Sequence, residues 1–130
     1  MKNTLLKLLE YIYYFSLVIL FIIYLFPGSL IGYFLYGNLG QQPNLIPNPI
    51  GTSINHLIFF SYITILAVII RPKVENILTD YKIILFISFI LEILHFIIPN
   101  RAFEFYDLTA NVLGVLTIIL LERLRKWLNY

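Results

Sequence analysis

The chain has 130 residues, of which 60% are hydrophobic and 12% charged, with a mean hydropathy of +0.87. About a quarter of the residues of an ordinary soluble domain are charged, so this composition excludes that class and points to a bilayer. A formal charge of +2 is too small to mark a nucleic-acid binder, and the absence of cysteine excludes disulfides, thiol catalysis and thiolate metal sites.

Each membrane crossing takes roughly 20 residues plus a connection. The expected fold is therefore all-α, an integral membrane bundle of about four transmembrane helices forming a single domain over residues 1–130. The first apolar stretch begins within residues 2–10 and runs through 11–26, where Pro27-Gly28 breaks or bends it. A shorter apolar piece, 29–36, lies at the interface or extends that helix. Residues 37–52 are rich in Gly, Pro, Asn and Gln and carry no charge, which predicts an exposed loop. The second span covers about 54–70 and stops at Arg71-Pro72-Lys73; the third runs over 83–98 and stops at Pro99; the fourth runs over 103–121 before Glu122-Arg123-Leu124-Arg125-Lys126. Tyr11, Tyr13, Tyr14 and Trp127 suit an interfacial aromatic belt.

Cytoplasmic loops of bacterial membrane proteins are enriched in Lys and Arg. With four spans, Lys2, Lys7, Arg71, Lys73, Lys82, Arg123, Arg125 and Lys126 all fall on one side, and Arg101 is alone on the other. Both termini and the 71–82 connection are expected in the cytoplasm, with loops 37–52 and 99–106 outside. A cleaved signal peptide is a competing reading of the N-terminus, but no small-residue cleavage pattern follows the apolar run.

This topology brings polar residues to one end of the bundle. Glu92 and His95 are three apart and share a helix face, as do Asp107, Asn111 and Gly114 at offsets of four and seven. At about 1.5 Å of rise per residue, Glu92 and Asn111 each lie roughly 8–10 Å below the connecting turn and come level. His56 opens the second span on the same side, and Arg101 and Glu104 occupy the turn. Ionisable groups are costly beside hydrocarbon and persist mostly where they face a partner or a water-filled cavity. The candidate pocket is therefore His56, Glu92, His95, Arg101, Glu104, Asp107, Asn111 and Gly114, set between the third and fourth spans with the histidines at its edge and Arg101 as counter-charge.

Glu92-x-x-His95, followed by Arg101-Ala-Phe-Glu104-x-x-Asp107-x-x-x-Asn111-x-x-Gly114, resembles the hallmark of the VanZ-like family of small bacterial multi-pass proteins. The likeness covers about residues 54–121, with His56 in the place of the family's histidine at the start of an earlier span. Two departures stand out. Ile54-Asn55 replaces the family's Asp-Lys before that histidine, and His95 replaces its usual Gln. The resemblance implies a cell-envelope role at the bacterial cytoplasmic (inner) membrane and a link to resistance against the glycopeptide antibiotic teicoplanin. It supplies no reaction, so enzymatic activity stays open.

Each residue also has a purely structural reading. Glu92 could lock two helices, the histidines could sit at the interface, and Arg101 could snorkel to phosphates. Asp107 could serve the helix dipole, Asn111 could be interhelical glue, and Gly114 a close-packing position. Ser88, one turn deeper than Glu92, has the usual packing or backbone-bonding role of a serine in a membrane helix. The ligand types suit a divalent ion, yet there is no His-Glu-x-x-His element or close His pair, so no metal or cofactor is expected. Two functions follow from the sequence. The first is binding, with or without processing, of an anionic lipid-linked or peptidoglycan-related headgroup, with membrane lipid and an envelope precursor as partners. The second is a non-enzymatic accessory or assembly subunit docked on a larger membrane-protein partner.

Overall fold

The computed structural model describes residues 2–43, 51–74 and 76–129, and every regular element among them is helical. In chain order these are α1 (Lys2–Leu25), α2 (Leu30–Tyr36), α3 (Gly51–Ile70), α4 (Tyr81–Leu94) and α5 (Phe105–Leu128), with a 3₁₀ turn at Ile77–Thr79 ahead of α4. Three segments, Thr4–Leu25, Ser53–Ile70 and Phe105–Leu128, are long and apolar enough to cross a membrane. The protein is thus a multi-pass membrane bundle.

The expected third span, 83–98, is shorter as a regular helix. α4 has 14 residues, about 21 Å at 1.5 Å per residue against about 30 Å of hydrocarbon. Beyond Leu94 the winding tightens: the amides of His95, Phe96 and Ile97 donate to the carbonyls three residues back. Pro99 then cannot continue the ladder. At the other end of the chain, α5 continues past residue 121 through the charged run. Glu122 pairs with Lys126 at 2.8 Å one turn on, and Arg125 and Lys126 suit the negative end of the helix dipole.

Hydrogen-bonded pairs fix the directions of the helices. Ser53 with Asp107, His56 with Asn111 and Ser61 with Gly114 advance together, so α3 and α5 run parallel. The Tyr13 hydroxyl donates to the Leu78 carbonyl, and His95 meets the Tyr24 carbonyl, so α1 and α4 run parallel to each other and opposite to the first pair. The start of α1, the 71–80 connection and the end of α5 consequently share one end of the bundle. The turn after α1, helix α2 and residues 95–104 share the other.

Core-facing positions recur at helical spacing: Ile84, Ser88, Leu91 and Glu92 on α4, and Asp107, Ala110, Asn111, Gly114 and Val115 on α5. Tyr13, Leu17 and Leu20 of α1 and Phe60, Ile63 and Ala67 of α3 complete the apolar core. Phe86, Phe89 and Leu120 point outward, as expected where lipid is the solvent. Of the expected aromatic belt, Tyr11 and Trp127 are exposed. Tyr13 is instead fully buried as a bolt between α1 and the 3₁₀ turn, and the Tyr14 hydroxyl accepts a bond from Asn76 in the same turn.

The break at Pro27-Gly28 is real, with Gly28 at φ +95°. Ser29 then caps α2 by accepting from the Gly32 amide at 2.9 Å, and Gly37 closes the helix at φ +68°. Most of α2's apolar side chains, Phe34 above all, face outward, in keeping with an interfacial helix. Of the expected loop 37–52, residues 44–50 lie outside the described residues, and α3 already begins at Gly51.

α3 and α5 make their closest approach at Gly114. A Cβ there would stand 2.7 Å from the Leu57 carbonyl oxygen and 3.1 Å from the Phe60 Cβ. Gly114→Ala should therefore push the two helices apart and weaken the fold by about 1–3 kcal/mol, the usual cost of overpacking. Thermal unfolding in detergent measures this; an unchanged midpoint would show that α3 and α5 are free to separate.

Candidate functional site

Four helices deliver polar side chains to one layer near the α2 end of the bundle: Tyr24 from the end of α1, Ser53 and His56 from the start of α3, Ser88, Glu92 and His95 from the end of α4, and Asp107 and Asn111 from the start of α5. Glu92 and Asn111 are 0% exposed, Asp107 and His95 4%, and His56 9%. No buried side-chain nitrogen or oxygen among the described residues lacks a hydrogen-bond partner. That is the condition for such groups to survive beside hydrocarbon.

The proton positions follow from the partners. Asn111 Nδ2 donates to the Ser88 carbonyl at 3.3 Å and to Glu92 Oε2 at 3.4 Å, which orients its amide and leaves Oδ1 as acceptor. The single hydrogen of the Tyr24 hydroxyl goes to that Oδ1 at 2.8 Å. His56 Nδ1, 2.8 Å from the Tyr24 oxygen and 3.1 Å from Asn111 Oδ1, must therefore be a donor. Nε2 of His56 then faces Asp107 Oδ2 at 3.5 Å, while Ser53 donates to the other Asp107 oxygen at 2.5 Å. On the other side of Glu92, His95 Nε2 meets the Tyr24 carbonyl at 3.2 Å and must donate to it. His95 Nδ1 lies 3.2 Å from Glu92 Oε1, so a hydrogen sits between those two atoms.

Arg101 does not neutralise the carboxylates as its isolation in the sequence suggests. Its Nη2 donates to the Ile23 carbonyl at 2.5 Å and its Nε to the Phe26 carbonyl at 3.3 Å. The reason is local, because the last carbonyls of α1 have no intrahelical donors and Pro27 follows immediately. Burial pulls Arg101 below the ordinary arginine value, opposed by Tyr24, Glu92 and Asp107 in turn. Among the described residues, the groups within ion-pair distance of Glu92 and Asp107 are imidazoles.

Glu104 occupies the N-cap position of α5 without a side-chain cap bond; its amide donates to Glu92 Oε1 at 3.3 Å. Partial burial, followed by repulsion from Asp107 and Glu92, raises its carboxyl above the ordinary range. Asp107, although in the first turn of α5, turns toward Ser53 and His56. Gly114 holds no ligand position; it sets the spacing of α3 and α5.

The open space is also displaced from its expected place. A cavity of about 110 Å³ opens at the junction of α1, α2 and α3, not between the third and fourth spans. Tyr24, His56, His95 and Arg101, with Ser29, Gln42 and Asn55, supply its polar lining, and Leu20, Ile23, Ile31 and Phe59 most of its apolar lining. The carboxylates of Glu92 and Asp107 stand behind the histidines and do not line it. His56 is thus central, and Tyr24 and Ser53 are members that the sequence reading missed. Neither is marked by spacing: a tyrosine near the end of an apolar helix reads as part of an aromatic belt, and Ser53 precedes the expected start of its span.

His56, Glu92 and Asp107 can each present one ligand atom such that all three lie within 4.8 Å of one another. They come from three helices, which is why no sequence spacing reveals the set. Comparison of the chain with protein-family models, curated proteins and solved structures gave no match.

Tyr24→Phe removes the hydroxyl that receives the His56 Nδ1 hydrogen and donates to Asn111. Leaving both groups short of a partner should cost about 1–3 kcal/mol. Thermal unfolding in detergent provides the readout, and wild-type stability in this variant would show that the hydroxyl does not tie the network together.

Proposed function

We propose that this protein is a bacterial cytoplasmic-membrane protein that binds an anionic, lipid-linked envelope headgroup in the cavity beside α2. The observation that carries the reading is the mixed polar and apolar lining of that cavity. Apolar walls from Leu20, Ile23, Ile31 and Phe59 suit the top of an acyl or polyprenyl chain, and Tyr24, His56, His95 and Arg101 suit an anionic group. The volume accommodates a single phosphate or carboxylate and its neighbouring atoms, not a whole glycolipid. The five N–H donors of an Arg exceed the two that Arg101 spends on α1, so it retains donors for phosphate. The likeness of the Glu92-to-Gly114 pattern to VanZ-like proteins supports the same envelope setting and, with it, a link to glycopeptide resistance.

Native mass spectrometry of the detergent-solubilised protein, with polyprenyl phosphate, phosphatidylglycerol and phosphatidylcholine as probes, tests the reading. The anionic lipids should bind and the zwitterionic one should not. Arg101→Gln should weaken anionic binding at least about tenfold, the factor set by losing a charge-assisted hydrogen bond. Equal binding of all three lipids, or a folded Arg101→Gln variant with undiminished affinity, would refute it. Recovery of the chain in a stoichiometric larger complex without bound lipid would favour the accessory-subunit function instead.

The orientation belongs to the same proposal, with both termini and the 71–80 connection in the cytoplasm and the cavity end outside. In this cysteine-free chain, Gln41→Cys should react with an impermeant thiol reagent on intact cells, and Pro72→Cys should react only after lysis. Both positions are exposed. The reverse pattern would invert the topology.

A further inference from the structure

One contact of His56, that of Nε2 with Asp107 Oδ2, has no hydrogen bond to account for it. With its Nδ1 hydrogen directed at Tyr24, the neutral imidazole presents the lone pair of Nε2 to Asp107 Oδ2, which is itself an acceptor, at 3.5 Å. In that neutral state two acceptors face one another in a buried site. A charge-assisted hydrogen bond between them would close to about 2.7–2.9 Å. Two atoms bound to a common ion by bonds of about 2.0–2.1 Å at a tetrahedral angle are instead about 3.3 Å apart. The observed spacing is nearer to the second case.

Composition of the surroundings points the same way. Glu92, fully buried, brings a further carboxylate whose Oε2 is 3.7 Å from His56 Nδ1, and one ligand atom from each of the three residues fits within 4.8 Å. Among the described residues, Arg101 is not within ion-pair distance of either carboxylate. The hydrogen held between His95 and Glu92 offsets one of the two carboxylates, so the charge left for a cation, or for a proton on His56, is that of Asp107. The supporting shell is already in place: Tyr24 fixes the His56 tautomer, Ser53 holds the second Asp107 oxygen, and Asn111 and His95 hold the two oxygens of Glu92. Metal-bound histidines and carboxylates are typically oriented in this way.

We propose that His56 Nε2, Asp107 Oδ2 and the Glu92 carboxylate bind one divalent cation of the zinc class. One imidazole and two carboxylates, with no sulfur, suit Zn²⁺ and its borderline neighbours. Three protein ligands leave a coordination position open for an oxygen ligand. The ion is bound by the chain alone, and the proposal stands whether or not a headgroup lipid is the cavity's occupant.

The test uses full-length protein without a histidine tag, stripped with chelator in detergent, then reloaded with Zn²⁺ and desalted. Elemental analysis should find one ion per chain, and X-ray absorption of the loaded wild type should show a nitrogen and oxygen shell containing a single imidazole. Asp107→Asn and Glu92→Gln should each weaken Zn²⁺ binding more than about a hundredfold, and Tyr24→Phe, acting through the His56 tautomer, by about 10–100-fold. No retained zinc would overturn the proposal and leave a proton on His56 as the balancing charge. A shell with no imidazole, the mark of adventitious surface binding, or with two imidazoles would overturn it as well. The wild-type spectrum decides even where a variant fails to fold.

Discussion

A hydrogen-bonding group without a partner costs several kcal/mol in hydrocarbon, where no water can replace the missing contact. The bundle meets that requirement at Asn111, whose amide touches α4 through Ser88 and Glu92, α1 through Tyr24 and α3 through His56. One side chain thereby sets the register of four helices. Turning α5 by one residue, about 100°, would carry Asn111 and Asp107 toward lipid and leave Glu92, His56 and Tyr24 short of partners. No rearrangement of the apolar core carries a comparable penalty, because Leu and Ile are as comfortable against lipid as against one another. The polar layer, more than the hydrophobic one, makes this packing unique.

That layer depends in turn on close approach. Ala110 and Gly114 give α5 a small-residue face, so its backbone lies against Leu57 and Ser61 of α3, and His56 is brought within reach of both Asp107 and Asn111. A bulky residue at 114 would separate the helices by more than a hydrogen bond tolerates. The apolar and polar constraints thus act on the same interface. Gly114 sets the distance, and the network sets the rotation.

Much of this was legible from spacing. Helical rise alone brings Glu92 and Asn111 level, and they meet at 3.4 Å; periods of three and four place Asp107, Asn111 and Gly114 on one buried face. Positive charge at Arg101 was legible too, but its partner was not. Electrostatic reasoning pairs a lone cation with the nearest carboxylates, whereas the open carbonyls at the end of α1 compete for the same guanidinium and lie closer. The shortness of α4 escaped for a related reason: residues 95–98 are apolar and continue to wind, so hydropathy does not mark where the regular ladder tightens. Tyr24 had no local signal at all. Its role arises from three helices converging on one hydroxyl, and no pattern within a single helix encodes that.

The site therefore has two layers with different physics. Behind lie Glu92 and Asp107, sealed from solvent and held by Asn111, Ser53 and the imidazoles; in front lies a cavity whose polar lining includes Tyr24, His56, His95 and Arg101. Tyr24 and Asn111 fix the hydrogen on His56 Nδ1, and the Tyr24 carbonyl together with Glu92 fixes those of His95, so the packed layer fixes what the front presents. A change at Glu92 or Asp107 would reach the cavity only through the protonation and tilt of His95 and His56, while Arg101 and Tyr24 meet an occupant directly. The front layer includes the packed end of α1 itself, since Arg101 ties the Ile23 and Phe26 carbonyls and His95 ties that of Tyr24. A group entering the cavity and drawing on the remaining donors of Arg101 is held by the same guanidinium that closes the end of α1, so the occupant and the seating of α1 share one anchor.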